Sequence, residues 1–300
     1  MQEIIYYIKS YYKQTDRIVL LLISLFTAFL IFCNYYYSID TLIRKNNSFL
    51  VKLFYWYIVF AGAFIIPYFI VGLSRKRYNL KNKDFYILLF AAPLIFAWKI
   101  SASISISSFS GFETNNHFWN QVLYWPVLAI VIILILYFTW KLYHQDQPLY
   151  GLRTGNIEWK PYFFMLLIMV PLISLAATQN DFLSVYPKIN SISSDAEWWQ
   201  KLLFELSYGT DFFTIEFFFR GFLVLAFAGW VGKDAILPMA CFYCTIHFGK
   251  PLGECISSYF GGLLLGIVVY NTRSRWGGLI VHLGIAWLME IAGYLGNYFK

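Results

Sequence analysis

Charged side chains are scarce in this sequence: they make up 13% of the 300 residues, against about 25% in an ordinary soluble domain. Too little polar surface remains to solvate a globule, so a water-soluble fold is excluded. Cysteine is scarce too. Cys33, Cys241, Cys244 and Cys255 all fall in apolar stretches with helical character, so free thiols are expected and a disulfide framework is not. Internal repeats and low-complexity tracts are missing. The charge that is present, 23 basic against 16 acidic residues for a net +7, is scattered through short loops. That distribution argues against a nucleic-acid face and fits membrane topology.

What the chain has in abundance is apolar length. Hydrophobic residues make up 59% and aromatic residues 22%, and the mean hydropathy is +0.58. A chain solvated by lipid must satisfy its backbone internally, which leaves helices or closed barrels. Long unbroken apolar runs select helices, each needing about 20 residues to span. Candidate spans lie near 18–37, 51–73, 85–106, 119–140, 161–178, 203–230, 234–248, 255–271 and 276–297, with the seventh and eighth short. The expectation is an all-α, polytopic transmembrane bundle of about eight or nine helices, without a soluble domain. The first run is long enough to span and no small-residue cleavage pattern follows it, so it is expected to stay in the protein.

Arg75, Lys76, Arg77, Lys81 and Lys83 form the most basic loop, which the positive-inside rule places in the cytoplasm together with the N-terminus. The loops 107–118 and 179–198 then fall outside, and neither has a basic bias. Residues 1–200, about five spans, carry little chemistry. Lys99, within an apolar run, is expected to snorkel to the membrane surface. Residues 201–300 differ in kind and are expected to form a core of their own.

Ionisable residues inside a span are costly, and they mark either paired structural groups or a functional cavity. Thr214-Ile-Glu-Phe-Phe-Phe-Arg-Gly221 sets Glu216 and Arg220 four apart on one helical face, where the pair can neutralise itself. Taken alone, it reads as an ion pair that fixes packing. A second segment ends in Cys241-Phe-Tyr-Cys-Thr-Ile-His247, and a third carries His282 with Glu290 two turns later. Single histidines in membrane helices are mostly packing residues. Two of them with a carboxylate and a guanidinium on neighbouring helices offer water activation, metal binding and carbonyl polarisation, which suits hydrolysis in a water-filled pocket. Glu254 can cap the helix it begins or point into such a cavity. The three-residue rhythm of Cys241, Cys244 and His247 resembles a metal spacing, but one helical stripe cannot surround an ion tetrahedrally. Gly261, Gly262, Gly266, Gly277, Gly278 and Gly284 suit close helix packing.

Over about residues 200–295, these motifs resemble the CAAX-protease and bacteriocin-processing family of intramembrane metalloproteases, also called the Abi family. That family carries Glu-Glu-x-x-x-Arg, Phe-x-x-x-His and His-x-x-x-Asn on successive helices. Glu216 and Arg220 match the second glutamate and the arginine, and Gly221 also suits the pattern. His247 matches the second motif with Tyr243 in place of phenylalanine, and His282 matches the third. Two positions depart: Ile215 stands for the first glutamate and Ala286 for the asparagine.

The resemblance implies a polar intramembrane cavity lined by Glu216, Arg220, His247 and His282. It implies a divalent metal, zinc among the candidates, with His247, Glu216 and His282 as ligand types. Glu216 would orient or deprotonate water, His247 would bind the metal or help activate the water, His282 would stabilise the oxyanion, and Arg220 would fix Glu216. Glu254 and Glu290 are candidate compensating carboxylates. The implied activity is metal-dependent cleavage of a membrane-anchored or hydrophobic peptide in a bacterial cell membrane, with lipid as the other partner. The alternatives are an inactive relative that binds a peptide or confers immunity, and a proton-coupled transporter, which would require matching halves.

Overall fold

The computed structural model describes residues 2–73, 82–104, 116–152, 159–191 and 196–299. Arg75, Lys76, Arg77, Lys81, Glu113 and Asp195, which bear on the orientation expected from the loops, lie outside them. Among the described residues the structure is helical, without a strand; one isolated bridge pairs Leu152 with Ser274. In chain order the helices are α1 (Gln2–Gln14), α2 (Arg17–Tyr37), α3 (Ile39–Arg44), α4 (Phe49–Gly72), α5 (Lys83–Ser101), α6 (Asn116–Tyr143), α7 (Lys160–Ala176), α8 (Asn180–Leu183), α9 (Trp198–Ile215), α10 (Ala228–Val231), α11 (Ile236–Thr245), α12 (Leu252–Thr272) and α13 (Trp276–Tyr298).

Local chemistry sets their ends. The side chain of Asp16 accepts the Ile18 amide at 2.9 Å and starts α2, while Asn82 accepts the Asp84 amide at 2.7 Å and starts α5. Glu197 and Gln200 form a reciprocal capping box at α9. Helix α2 ends at Ser38 in the left-handed region, with φ 53°, which turns the chain directly into α3.

Among the described residues seven helical segments are long and apolar enough to cross a membrane, and α7 is a shorter apolar helix. The longest segment, Trp198–Thr245, is interrupted at Gly232, where φ 59° and ψ −138° leave the helical region. It therefore holds two rods, and nine apolar rods stand among the described residues where nine candidate spans were read. The eighth is longer than expected, at 21 residues, because Pro251 caps it and the helix begins at once on Leu252. Helix α1 was not foreseen. Its pattern is amphipathic, and only Ile4 and Tyr11, seven residues apart, are buried.

The chain forms two compact units that interleave along the sequence: Met1–Ala102, Leu136–Arg153 and Phe217–Arg275 form the first, and the remainder forms the second. The first is cored by phenylalanines. Phe60, Phe96 and Phe219 each pack a ring within 6.1 Å of the Phe242 ring, and all four are essentially inaccessible. Offset and edge-to-face pairs of this kind add to the apolar burial they bring. Lys99 belongs to this interior. Rather than snorkelling, it is buried with its Nζ 5.0 Å from the Phe96 ring centroid, a position where the aromatic face offsets part of the charge's desolvation. On α2, by contrast, Ile18, Leu21, Leu25, Phe29 and Phe32 form an exposed apolar stripe, the surface expected where lipid is the solvent.

The second unit is built on α7, α9, α13 and the first part of α6. Helices α7 and α13 approach closely at glycines: a methyl group on Gly277 would run into the Tyr162 ring, and one on Gly284 into Leu166. Trp125 packs its ring 5.2 Å from both Phe204 and Tyr208, joining α6 to α9.

Candidate active site

The helical backbone changes at Glu216. From Glu216 to Ala226 the winding widens to i→i+5 hydrogen bonding, a rare form that occurs mostly as short bulges and often at functional sites. The run Phe217-Phe-Phe-Arg-Gly-Phe222 is buried on every side, so tertiary packing rather than a one-sided apolar stripe dictates its path. Gly221 is required there, because any side chain would strike the carbonyl and Cβ of Tyr150.

In the second unit Glu216 is 1% exposed and its Oε1 lies 2.9 Å from Nδ1 of His282 on α13. A carboxylate only accepts, so Nδ1 carries the proton. In the neutral ring the lone pair is then on Nε2. Phe212, one turn before Glu216, stands edge-on to the imidazole at 4.8 Å and restricts its rotation. The His282 side chain is 11% exposed, whereas the Glu216 side chain that holds it is 1% exposed.

In the first unit Tyr243 joins the other two residues of the expected set. The Arg220 guanidinium lies 3.9 Å from the Tyr243 ring centroid, in range for a cation–π contact, and Arg220 is fully buried. The ring of His247 packs 4.8 Å from the same tyrosine. His247 Nδ1 is 3.0 Å from the Tyr243 carbonyl oxygen, which again makes Nδ1 the donor and leaves the lone pair on Nε2. Gly262 of α12 supplies the space: a methyl group there would press on the Tyr243 ring.

The two further carboxylates contact other residues. Glu254 pairs with Lys250 at 3.4 Å in the first turn of α12. Glu290 accepts the Lys188 amide at 2.9 Å and interacts with Glu205 of α9. The positions that depart from the family pattern are apolar and filled. Ile215 is buried, and Ala286 packs with Tyr208 and Phe212 in one cluster. Cys244 faces Cys255 of α12 with 3.9 Å between the sulfurs.

The sequence did not single out Arg275, which is 2% exposed and lies 4.0 Å from the Phe217 ring centroid. Nor did it single out Glu205 or Tyr243 as a shared support for Arg220 and His247. The signal for Arg275 and Glu205 was present, as ionisable residues within or beside a span. For Tyr243 the signal was its place four residues before His247, where the family pattern carries phenylalanine.

Imidazole and carboxylate suit zinc and related divalent ions. Among the described residues no three His, Cys, Asp or Glu side chains gather as a ligand set.

Residues 198–288 match the family model described as Type II CAAX prenyl endopeptidase Rce1-like. The matched part contains Glu216, Arg220, His247 and His282, and the resemblance read from their motifs is borne out over it. No curated protein and no solved structure matches the chain. Together with the apolar helices, the match identifies an integral membrane protein.

Proposed function

We propose that the protein is an intramembrane endopeptidase that hydrolyses a membrane-anchored or hydrophobic peptide. The observation that carries this reading is the hydrogen bond between His282 Nδ1 and a buried Glu216 carboxylate, within a segment that matches a peptidase family. The carboxylate fixes the ring's tautomer and orientation, and it stabilises the imidazolium that forms when Nε2 takes a proton from water. Water so activated attacks the scissile carbonyl. The same Nε2 then returns the proton to the departing amine, which restores the starting state.

His247 has the same tautomeric arrangement, held by a carbonyl in place of a carboxylate. The resemblance gives it metal binding or water activation, and gives Arg220 the task of fixing Glu216. A divalent metal, zinc among the candidates, would polarise the carbonyl or lower the pKa of water. The basic loop ending at Lys83 supports a cytoplasmic N-terminus; a bacterial cell membrane, with lipid as the surrounding partner, belongs to the same reading.

A second reading has its own support. Ile215 and Ala286 fill with hydrocarbon the places of a catalytic carboxylate and an amide donor in the family pattern. A catalytically inactive relative that binds a peptide or confers immunity fits those substitutions. Cleavage of hydrophobic reporter peptides by the purified protein in lipid nanodiscs, beside the Glu216→Gln and His282→Ala forms, separates the two. Cleavage that both substitutions remove supports the peptidase; peptide binding without cleavage in the wild type supports the binder.

A further inference from the structure

The turn that carries His247 is gripped by a part of the chain far outside the matched segment. After α11 the backbone winds through Ile246–Lys250, with the amides of His247, Phe248 and Lys250 donating to the carbonyls of Cys244, Thr245 and His247 at 3.0, 3.2 and 3.1 Å. Gly249 makes the reversal with φ +83°, which favours glycine. Against it lies Asp40 of α3, so close that a methyl group on Gly249 would strike the carboxyl carbon and both oxygens. The next residue is held as well: the Tyr35 hydroxyl donates to the Lys250 carbonyl at 2.5 Å.

Asp40 is itself held by two hydrogen bonds, and the arginine that makes one of them is braced in turn. The Asp40 amide donates to Asn34 Oδ1 at 3.0 Å, Arg44 Nε donates to Asp40 Oδ1 at 2.7 Å, and the Arg44 guanidinium rests 5.5 Å from the Trp56 ring centroid. Both Asn34 and Asp40 are buried. Burying a carboxylate is unfavourable even when paired, and the space above a glycine is more simply filled by an apolar side chain. Simple packing therefore explains contact at this point, but not an ion pair.

We infer that Asp40 and Tyr35 are positioning residues for His247. Holding the turn at Gly249 and Lys250 keeps the His247 Nδ1–H on the Tyr243 carbonyl and so fixes the direction of Nε2. Supports one shell behind a reacting imidazole act in this way generally, and losing one typically costs about 10–100-fold. The inference rests on the reading of His247 as a site residue, and it gives the N-terminal hairpin a role in the chemistry of the C-terminal part.

Full-length Asp40→Ala and Tyr35→Phe proteins in detergent, compared with the wild type by amide hydrogen exchange and by cleavage kinetics, test it. Loss of one hydrogen bond or support should speed exchange of the His247, Phe248 and Lys250 amides about tenfold, leaving α4 and α12 unchanged. The accompanying kcat should fall about 10–100-fold with KM unaltered. Exchange that is unchanged at these amides, or faster throughout the protein, overturns the inference, as does faster local exchange with wild-type kcat. Tyr35→Phe removes a single hydroxyl and keeps the test decisive if Asp40→Ala does not fold. A wild type without cleavage would sink the peptidase reading alone, since the exchange pattern still decides for or against the clamp.

Discussion

His282 and Glu216 are joined by a 2.9 Å hydrogen bond between Nδ1 and Oε1, linking α13 to the residue where α9 changes its winding. Sixty-six residues separate them, so only the tertiary fold brings them together. Each leaves the other buried with a lost partner when removed, a costly state in a low-dielectric interior.

That dependence sets the first test. Glu216→Gln leaves the shape of the pair but can present an amide N–H to Nδ1 and favour the wrong tautomer. Cleavage should fall by about 10²–10⁴-fold in Glu216→Gln and in His282→Ala, the range for loss of a general acid–base group. His247→Ala should fall comparably, with thermal stability in detergent near that of the wild type. Cleavage retained in both histidine variants would remove the site assignment.

Metal analysis is the second. The resemblance implies about one equivalent of a divalent ion, with His and Glu ligand types that suit zinc, lost in His247→Ala/His282→Ala. Mass spectrometry of both purified proteins measures this. Metal absent from both would leave the Glu216–His282 pair to activate water unaided.

Restoring the family's residues probes the departures. Ile215→Glu/Ala286→Asn should raise peptidase activity, since one oxyanion donor alone contributes about 10²–10³ in rate. The same change should lower stability, because Ala286 sits among Tyr208 and Phe212 and an unpaired buried polar group costs about 1–3 kcal/mol. An active wild type that gains nothing would have a catalytic arrangement different from the family's.

Acid should weaken the fold through His144. It lies just past α6, buried, with Nδ1 3.0 Å from the Tyr150 hydroxyl, and burial holds its pKa below the usual 6.5. A depressed folded pKa means the unfolded chain binds the proton more tightly. The stability it contributes is present above about pH 6.5 and lost as pH falls through the folded value. Thermal midpoints in detergent measured from pH 7.5 downward should fall below that point, and His144→Gln should flatten the decline. Equal slopes in both proteins would refute the assignment.

Two glycines separate close approach from open space. Gly277→Ala would push a methyl group into the Tyr162 ring, whereas the same change at Gly261 meets nothing within 4 Å. Overpacking typically costs about 1–3 kcal/mol, so Gly277→Ala should lower the unfolding midpoint and Gly261→Ala should not. Equal effects would contradict the packing of α7 on α13.

What the sequence determined by itself was the solvent and the rods. Scarce charge and long apolar runs require backbone hydrogen bonds to close within each segment, and a helix is local enough for composition to specify it. The ionisable residues of the C-terminal third were legible for the same reason, because a charge in a lipid-facing run stands out against its surroundings. Partners were not legible. Glu216 stands four residues from Arg220 in the chain, yet its hydrogen bond to His282 depends on how α13 packs on α9. Lys99 is buried against Phe96 instead of reaching the surface, and the hairpin at Asp40 touches the turn of His247 across more than two hundred residues. Periodicity reports which side of one helix is apolar; which neighbour covers that side is decided only when the helices pack, through glycine-sized gaps, aromatic contacts and hydrogen bonds that no local pattern contains.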